Sequence, residues 1–73
     1  MDAIVIARII EMAKNANGPV KLSDAAKQLG YASSRGVARA ISSVYRHLEE
    51  RGDLKTCVEI ARTFVNKWGN YSW

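Results

Sequence analysis

Ser34-Arg35-Gly36-Val37-Ala38-Arg39-Ala40-Ile41-Ser42-Ser43-Val44-Tyr45-Arg46-His47-Leu48-Glu49-Glu50-Arg51-Gly52 is the stretch on which the reading of the fold turns. Val37, Ile41, Val44 and Leu48 recur at steps of four, three and four, the period that lines one side of an α-helix. Ser34 carries a side-chain oxygen suited to cap a first turn, and Gly52 is free to take the left-handed conformation that ends a helix. The spacing predicts a helix from about Arg35 to Arg51. At about 100° per residue, Arg35, Arg39, Ser42 and Arg46 lie about 160° from the apolar stripe. No acidic residue interrupts them before Glu49.

A helix fits the major groove of B-form DNA, where an arginine can donate two bonds to one guanine or grip a phosphate. A serine in the same row is short enough to let the helix approach closely. Ser33, Ser34, Arg35, Arg39, Ser42, Ser43 and Arg46 are therefore the candidate DNA-contacting residues, with helix 35–51 in the groove. Any surface helix also turns polar residues away from its core, so a plain solvated face is the competing reading. Three arginines with serine and no acid are unusual for such a face.

Upstream, Val20-Lys21-Leu22 reads as a short extended edge segment. Ser23 is placed to cap a second helix from Ala25 to Leu29, Asp24 suits the positive end of its dipole, and Gly30 closes it. Tyr31 to Ser34 form a turn into the third helix. The first helix starts at Asp2, its expected cap, and runs to about Lys14. Val5, Ile6, Ile9, Ile10, Met12 and Ala13 cover an arc of about 160° on it, with Arg8, Glu11 and Ile4 outside. Asn15, Asn17, Gly18 and Pro19 then supply a left-handed cap and a stop.

Downstream, Gly52-Asp53 breaks the chain and Leu54 opens a segment with two readings. Thr56, Cys57, Val58, Ile60, Thr63, Phe64 and Val65 favour a strand by propensity. Cys57, Ile60, Ala61, Phe64, Val65 and Trp68 also fall on one side of a helix. No Asn-Gly or Asp-Gly pair marks a tight hairpin between two strands. Residues 55–68 thus fit either a β-hairpin or a helix.

Three pieces together resemble bacterial or phage-type winged helix-turn-helix regulators. They are Leu22-Ser23-Asp24-Ala25-Ala26-Lys27-Gln28-Leu29-Gly30, then Ser33-Ser34-Arg35, then Leu48-Glu49-Glu50-Arg51-Gly52-Asp53-Leu54. The resemblance covers about residues 20 to 54. It implies an α+β, mainly helical fold: a three-helix helix-turn-helix core with a C-terminal β-hairpin wing. The alternative is an all-α fold with a fourth C-terminal helix. It also implies that Arg62 and Lys67, in the wing, touch phosphate, while Trp68, Tyr71 and Trp73 pack or stack.

The bulk properties agree with this reading. The 73 residues make one domain, with a formal net charge of +4 and a pI near 9.6, a balance that favours a polyanionic partner. Cys57 is the one cysteine and His47 the one histidine. No intrachain disulfide and no zinc site of Cys and His ligands can form within one chain, and a reducing, cytoplasmic setting is expected. No secretory signal or membrane-spanning run is read. Glu49 and Glu50 are neighbours on a helix and point apart, which does not suit paired acid–base chemistry. No glycine-rich phosphate loop is present. The chain is not expected to be an enzyme or to need a metal, a cofactor or a small-molecule ligand.

The expected function is sequence-specific binding of double-stranded DNA by a small transcriptional regulator. One copy would read few base pairs, and the first helix has apolar surface to spare, so a homodimer is expected. The competing function is a protein-binding module, or an antagonist of a host protein, that keeps a helix-turn-helix shape. A single-stranded nucleic-acid binder, resting on the aromatic tail and the basic charge, ranks third.

Overall fold

The computed structural model describes residues 2–71. Among them the chain is mainly helical with a small two-stranded parallel sheet, in the order α1 (Ala3–Asn15), β1 (Val20–Lys21), α2 (Leu22–Leu29), α3 (Ser34–Glu50), α4 (Leu54–Ala61) and β2 (Phe64–Val65). Trp73, read from the sequence as a packing or stacking aromatic, lies outside the described residues.

Helix α1 forms on its expected pattern but ends without the expected left-handed cap, because the C-cap residue Ala16 is extended at φ −68° and ψ 135° and leads toward β1. The Asp2 carboxylate accepts from the Ile4 N–H at 2.8 Å, occupying one of the donors a helix start leaves unpaired. Ile9 and Ala13 are buried, and Val5, Ile6, Ile10 and Met12 pack partly against the core. Ile4, outside the arc, is 67% exposed. Arg8 also lies outside it, and its guanidinium reaches across to donate to the Gln28 carbonyl at 3.0 Å. That bond ties α1 to the C-terminal end of α2, where unpaired carbonyls are available.

Helix α2 starts earlier than Ser23 would place it. Leu22 is its first residue, Lys21 holds the cap position without a side-chain bond, and Ser23 sits in the first turn. The reason is tertiary: Val20 and Lys21 pair with β2, and Leu22 is buried in the core. The strand therefore passes straight into the helix. Gly30 closes α2 with φ +78°, and the Tyr31 N–H bonds back to the Ala26 carbonyl at 2.8 Å, a Schellman closure. Ala25 and Ala26 are buried, and side chains this small let α2 lie close to α3.

Helix α3 is capped by Ser33, whose hydroxyl accepts from the Gly36 N–H at 3.2 Å. Ser34, expected in that role, is instead the first helical residue. Val37, Ala40, Ile41, Val44 and Leu48 are all buried, so the apolar stripe is as drawn from the sequence. Gly52, at φ +76°, and the Asp53 N–H bond to the Leu48 carbonyl at 2.9 Å end the helix.

The expected hairpin over residues 55–68 is not formed. Its first half is the helix α4, as in the alternative reading, and helical spacing prevails over β-propensity there. Asp53 accepts from the Thr56 N–H at 3.2 Å and from the Thr56 hydroxyl at 2.9 Å, which starts the helix. Cys57 and Ile60 then face the core from successive turns. The helix stops at Ala61 and does not run on to Trp68, because Phe64 and Val65 leave it to form β2. The pairing is parallel, Val20 with Phe64 and Lys21 with Val65. Phe64 is the largest of the fully buried side chains among the described residues, so this strand closes part of the core.

After β2 the chain turns sharply. The Asn66 N–H bonds to the Asn70 carbonyl at 2.8 Å and the Gly69 N–H to the Asn66 carbonyl at 2.9 Å, with Gly69 at φ +78°. This is the bonding of a three-residue hairpin loop with glycine at the left-handed position. No antiparallel ladder follows it among the described residues.

Candidate nucleic-acid interface

The core stripe of α3 dictates what its other side shows. With Val37, Ile41, Val44 and Leu48 held inward, Arg35, Arg39 and Arg46 are exposed, and Ser42 and Ser43 are half-buried at the border. At about 1.5 Å per residue, the row from Arg35 to Arg46 runs about 16 Å along the helix. A cylinder with this row on one side suits a groove about 12 Å wide. Of the candidate residues, these five share one helix and one general side.

The serines differ in what they have left to offer. The hydroxyl of Ser33 is occupied by the cap bond to Gly36. The Ser43 hydroxyl donates to the Arg39 carbonyl at 3.0 Å, which leaves its lone pairs but not its proton for a ligand. Ser34 is exposed on the first turn.

The charges along α3 run against its own dipole. Arg35 stands in the first turn, where no acidic residue is found, while Glu49 and Glu50 close the last turn. A helix prefers the reverse order, by about 0.3–1 kcal/mol per charge at low ionic strength. The C-cap Arg51 offsets this in part. The positive N-terminal half is what an external anion would favour.

Arg62 and Lys67 stand on other elements. Arg62 is the exposed C-cap residue of α4. Lys67 sits in the turn after β2, with its ammonium 4.5 Å from the centre of the Trp68 ring. Trp68 itself is 73% exposed and Tyr71 about half, so neither serves the core for which large aromatics are commonly used.

Two contributions escaped the sequence reading. Tyr31 packs over the start of α3, where a methyl added at Gly36 would lie 3.4 Å from the Tyr31 ring. Gly36 thus leaves room for the turn that brings α2 against α3. The loop around Asn66 was hidden because its signal is Asn followed three residues later by Gly, not an adjacent pair.

Among the described residues, the two groups with shifted titration, Asp53 and Cys57, belong to α4 and its cap. The two bonds from Thr56 hold the Asp53 carboxyl below its ordinary range. Burial pushes the Cys57 thiol up, with the charges of Glu49 and Asp53 adding to it. A buried thiol with a raised pKa is a poor nucleophile. No group of His, Cys, Asp and Glu among the described residues has the clustering to hold a metal ion, and no helix there is long and apolar enough to cross a membrane. Comparison with family models, with curated proteins and with solved structures finds no match to this chain.

Proposed function

We propose that this protein binds double-stranded DNA in a sequence-specific manner, as a small transcriptional regulator acting as a homodimer. In this reading α2, the turn 30–33 and α3 work as a helix-turn-helix, with α3 in the major groove. The observation that carries it is the outer side of α3: Arg35, Arg39 and Arg46 exposed in one row, the first of them in the helix's opening turn, where its own dipole disfavours a cation. Arg35 and Arg39, toward the N-terminus of α3, are the candidates for base edges, while Ser34 and Arg46 are candidates for phosphate. In place of a hairpin wing, the turn 66–70 projects Lys67. The test is a gel shift with duplex DNA at low and moderate salt. Retardation that weakens steeply with salt is expected, through counterion release. No retardation of micromolar duplex at low salt would overturn the reading.

A second reading rests on α4. Leu54 is 62% and Val58 54% exposed, one turn apart on the side away from the core. Such a pair suits a protein partner, either the second copy of a dimer or another chain. Size measurement of the free protein distinguishes the two: a dimer accounts for the pair within the DNA-binding reading, and a monomer that does not bind DNA favours a partner protein.

A further inference from the structure

Asn66 organises the turn that follows β2 through both its backbone and its side chain. Its backbone N–H and carbonyl close the loop to Asn70 and Gly69, and its side-chain oxygen accepts from the N–H groups of both Trp68 and Asn70 at 3.0 Å. The loop is thus ordered before any ligand arrives, and what it displays is an indole. Trp68 has the highest exposure of the large hydrophobic residues described, at 73%, with one side of its ring near the Lys67 ammonium. An aromatic ring held out on a preordered loop costs little further entropy on binding, which is what makes a good anchor.

The topology says where this anchor stands. The strands are parallel, and Lys21 is level with Val65. The chain after Lys21 enters α2, and the chain after Val65 enters the turn, so the loop leaves the sheet on the side where α2 begins.

We propose that Trp68 is a second nucleic-acid contact, stacking on a nucleobase that has left the duplex stack beside the segment held by α3. Paired bases show only their edges in the grooves, whereas a flat ring uses a base's face. The ligand class is therefore a duplex with a local single-stranded bubble or overhang. Lys67 supplies a cation beside the same ring to meet the flanking phosphate. This inference rests on the duplex-binding reading of α3.

The experiment uses the full chain with Trp73→Phe, which leaves Trp68 as the one indole. Its fluorescence is titrated with blunt duplex, with the same duplex carrying a short single-stranded overhang, and with vesicles of phosphatidylserine and phosphatidylcholine. Affinity for each duplex is read in parallel, for this protein and its Trp68 variants, from the anisotropy of a fluorescein label on the DNA. Quenching by the overhang duplex and about tenfold tighter binding than to the blunt one are expected, in line with base–aromatic stacking. Trp68→Ala should remove that preference and keep blunt-duplex binding, and Trp68→Phe should retain most of it. If Trp68→Ala binds both duplexes as the parent does, the stacking contact is overturned while the α3 reading stands. If the parent binds neither DNA, both fall. Quenching by vesicles without quenching by DNA would make the turn a membrane contact and overturn the proposal.

Discussion

Helices α3 and α4 pack against each other and share one core, yet their outward sides differ in kind. Inward, α3 contributes Val37, Ile41, Val44 and Leu48, and α4 contributes Cys57 and Ile60. Outward, α3 shows three arginines followed by Glu49 and Glu50 in its last turn, whereas α4 shows Leu54 and Val58 with Lys55 between them. The inner sides answer to packing and leave the outer sides free to differ. An outer charge row and an outer apolar pair therefore carry information that the fold does not need. The first speaks for a polyanion, the second for a protein surface.

The largest expected effects test the shared inner side. Ile41→Ala and Ile60→Ala each empty a fully buried site, and each should destabilise by about 2–5 kcal/mol. In a domain this small, such a loss can approach the whole stability. Thermal or urea melts measure it. Near-parent melts for either variant would mean that the core is not where the two helices place it.

Arg39→Ala should separate reading from packing. The side chain is exposed, so stability should change by no more than about 0.5 kcal/mol. Specific duplex binding should weaken by about 1–3 kcal/mol if a guanine contact is lost. A variant that binds like the parent would reduce the α3 row to a solvated face and erase its contrast with α4.

On α4 the counterpart is Val58→Lys. Stability should again stay within about 0.5 kcal/mol of the parent, while a dimer built on this side should dissociate in light scattering. A dimer that persists would place the interface elsewhere, with the first helix from Ile4 to Met12 the next segment to alter.

A pH series sharpens the start of α4. Because the folded state holds the Asp53 carboxyl below its ordinary value, chiefly through the Thr56 side chain, its contribution is complete above the unfolded carboxylate pKa. It is lost as pH falls through the lowered folded value. The melting temperature of Asp53→Asn should therefore fall below the parent's at neutral pH, and the two should converge in acid. A gap that stays constant with pH would assign the effect to something other than the charge.

Smallest of all should be Gly36→Ala. The added methyl meets Tyr31 at 3.4 Å, an ordinary contact, and alanine favours a helix over glycine by about 0.5–1 kcal/mol. A modest gain in melting temperature is expected. A clear loss would show that Tyr31 cannot yield, and that the turn into α3 is tighter than its geometry indicates.

How much was legible in the residues follows from the range over which each signal acts. The stripe of α3, the arc of α1 and the terminating roles of Gly30 and Gly52 are local properties of period and backbone freedom. They were readable in full, and with them the sides on which Arg35, Arg39 and Arg46 stand. The start of α2 was not, since Ser23 is a good cap in isolation, and the structure passes over it because Leu22 is drawn into the core. The cap of α3 moved by one residue, from Ser34 to Ser33, two adjacent residues with the same chemistry.

The last third depended on distant partners. From Leu54 onward, strand propensity and helical spacing favoured different answers, and nothing local chose between them. The choice came from the Asp53–Thr56 cap at one end and from β1 at the other. Phe64 and Val65 abandon the helical face because Val20 and Lys21, more than forty residues earlier in the chain, offer backbone partners and a place in the core for Phe64. Period and propensity describe a residue's neighbours in sequence. Burial and strand pairing are set by neighbours in space, and those only the tertiary structure could decide.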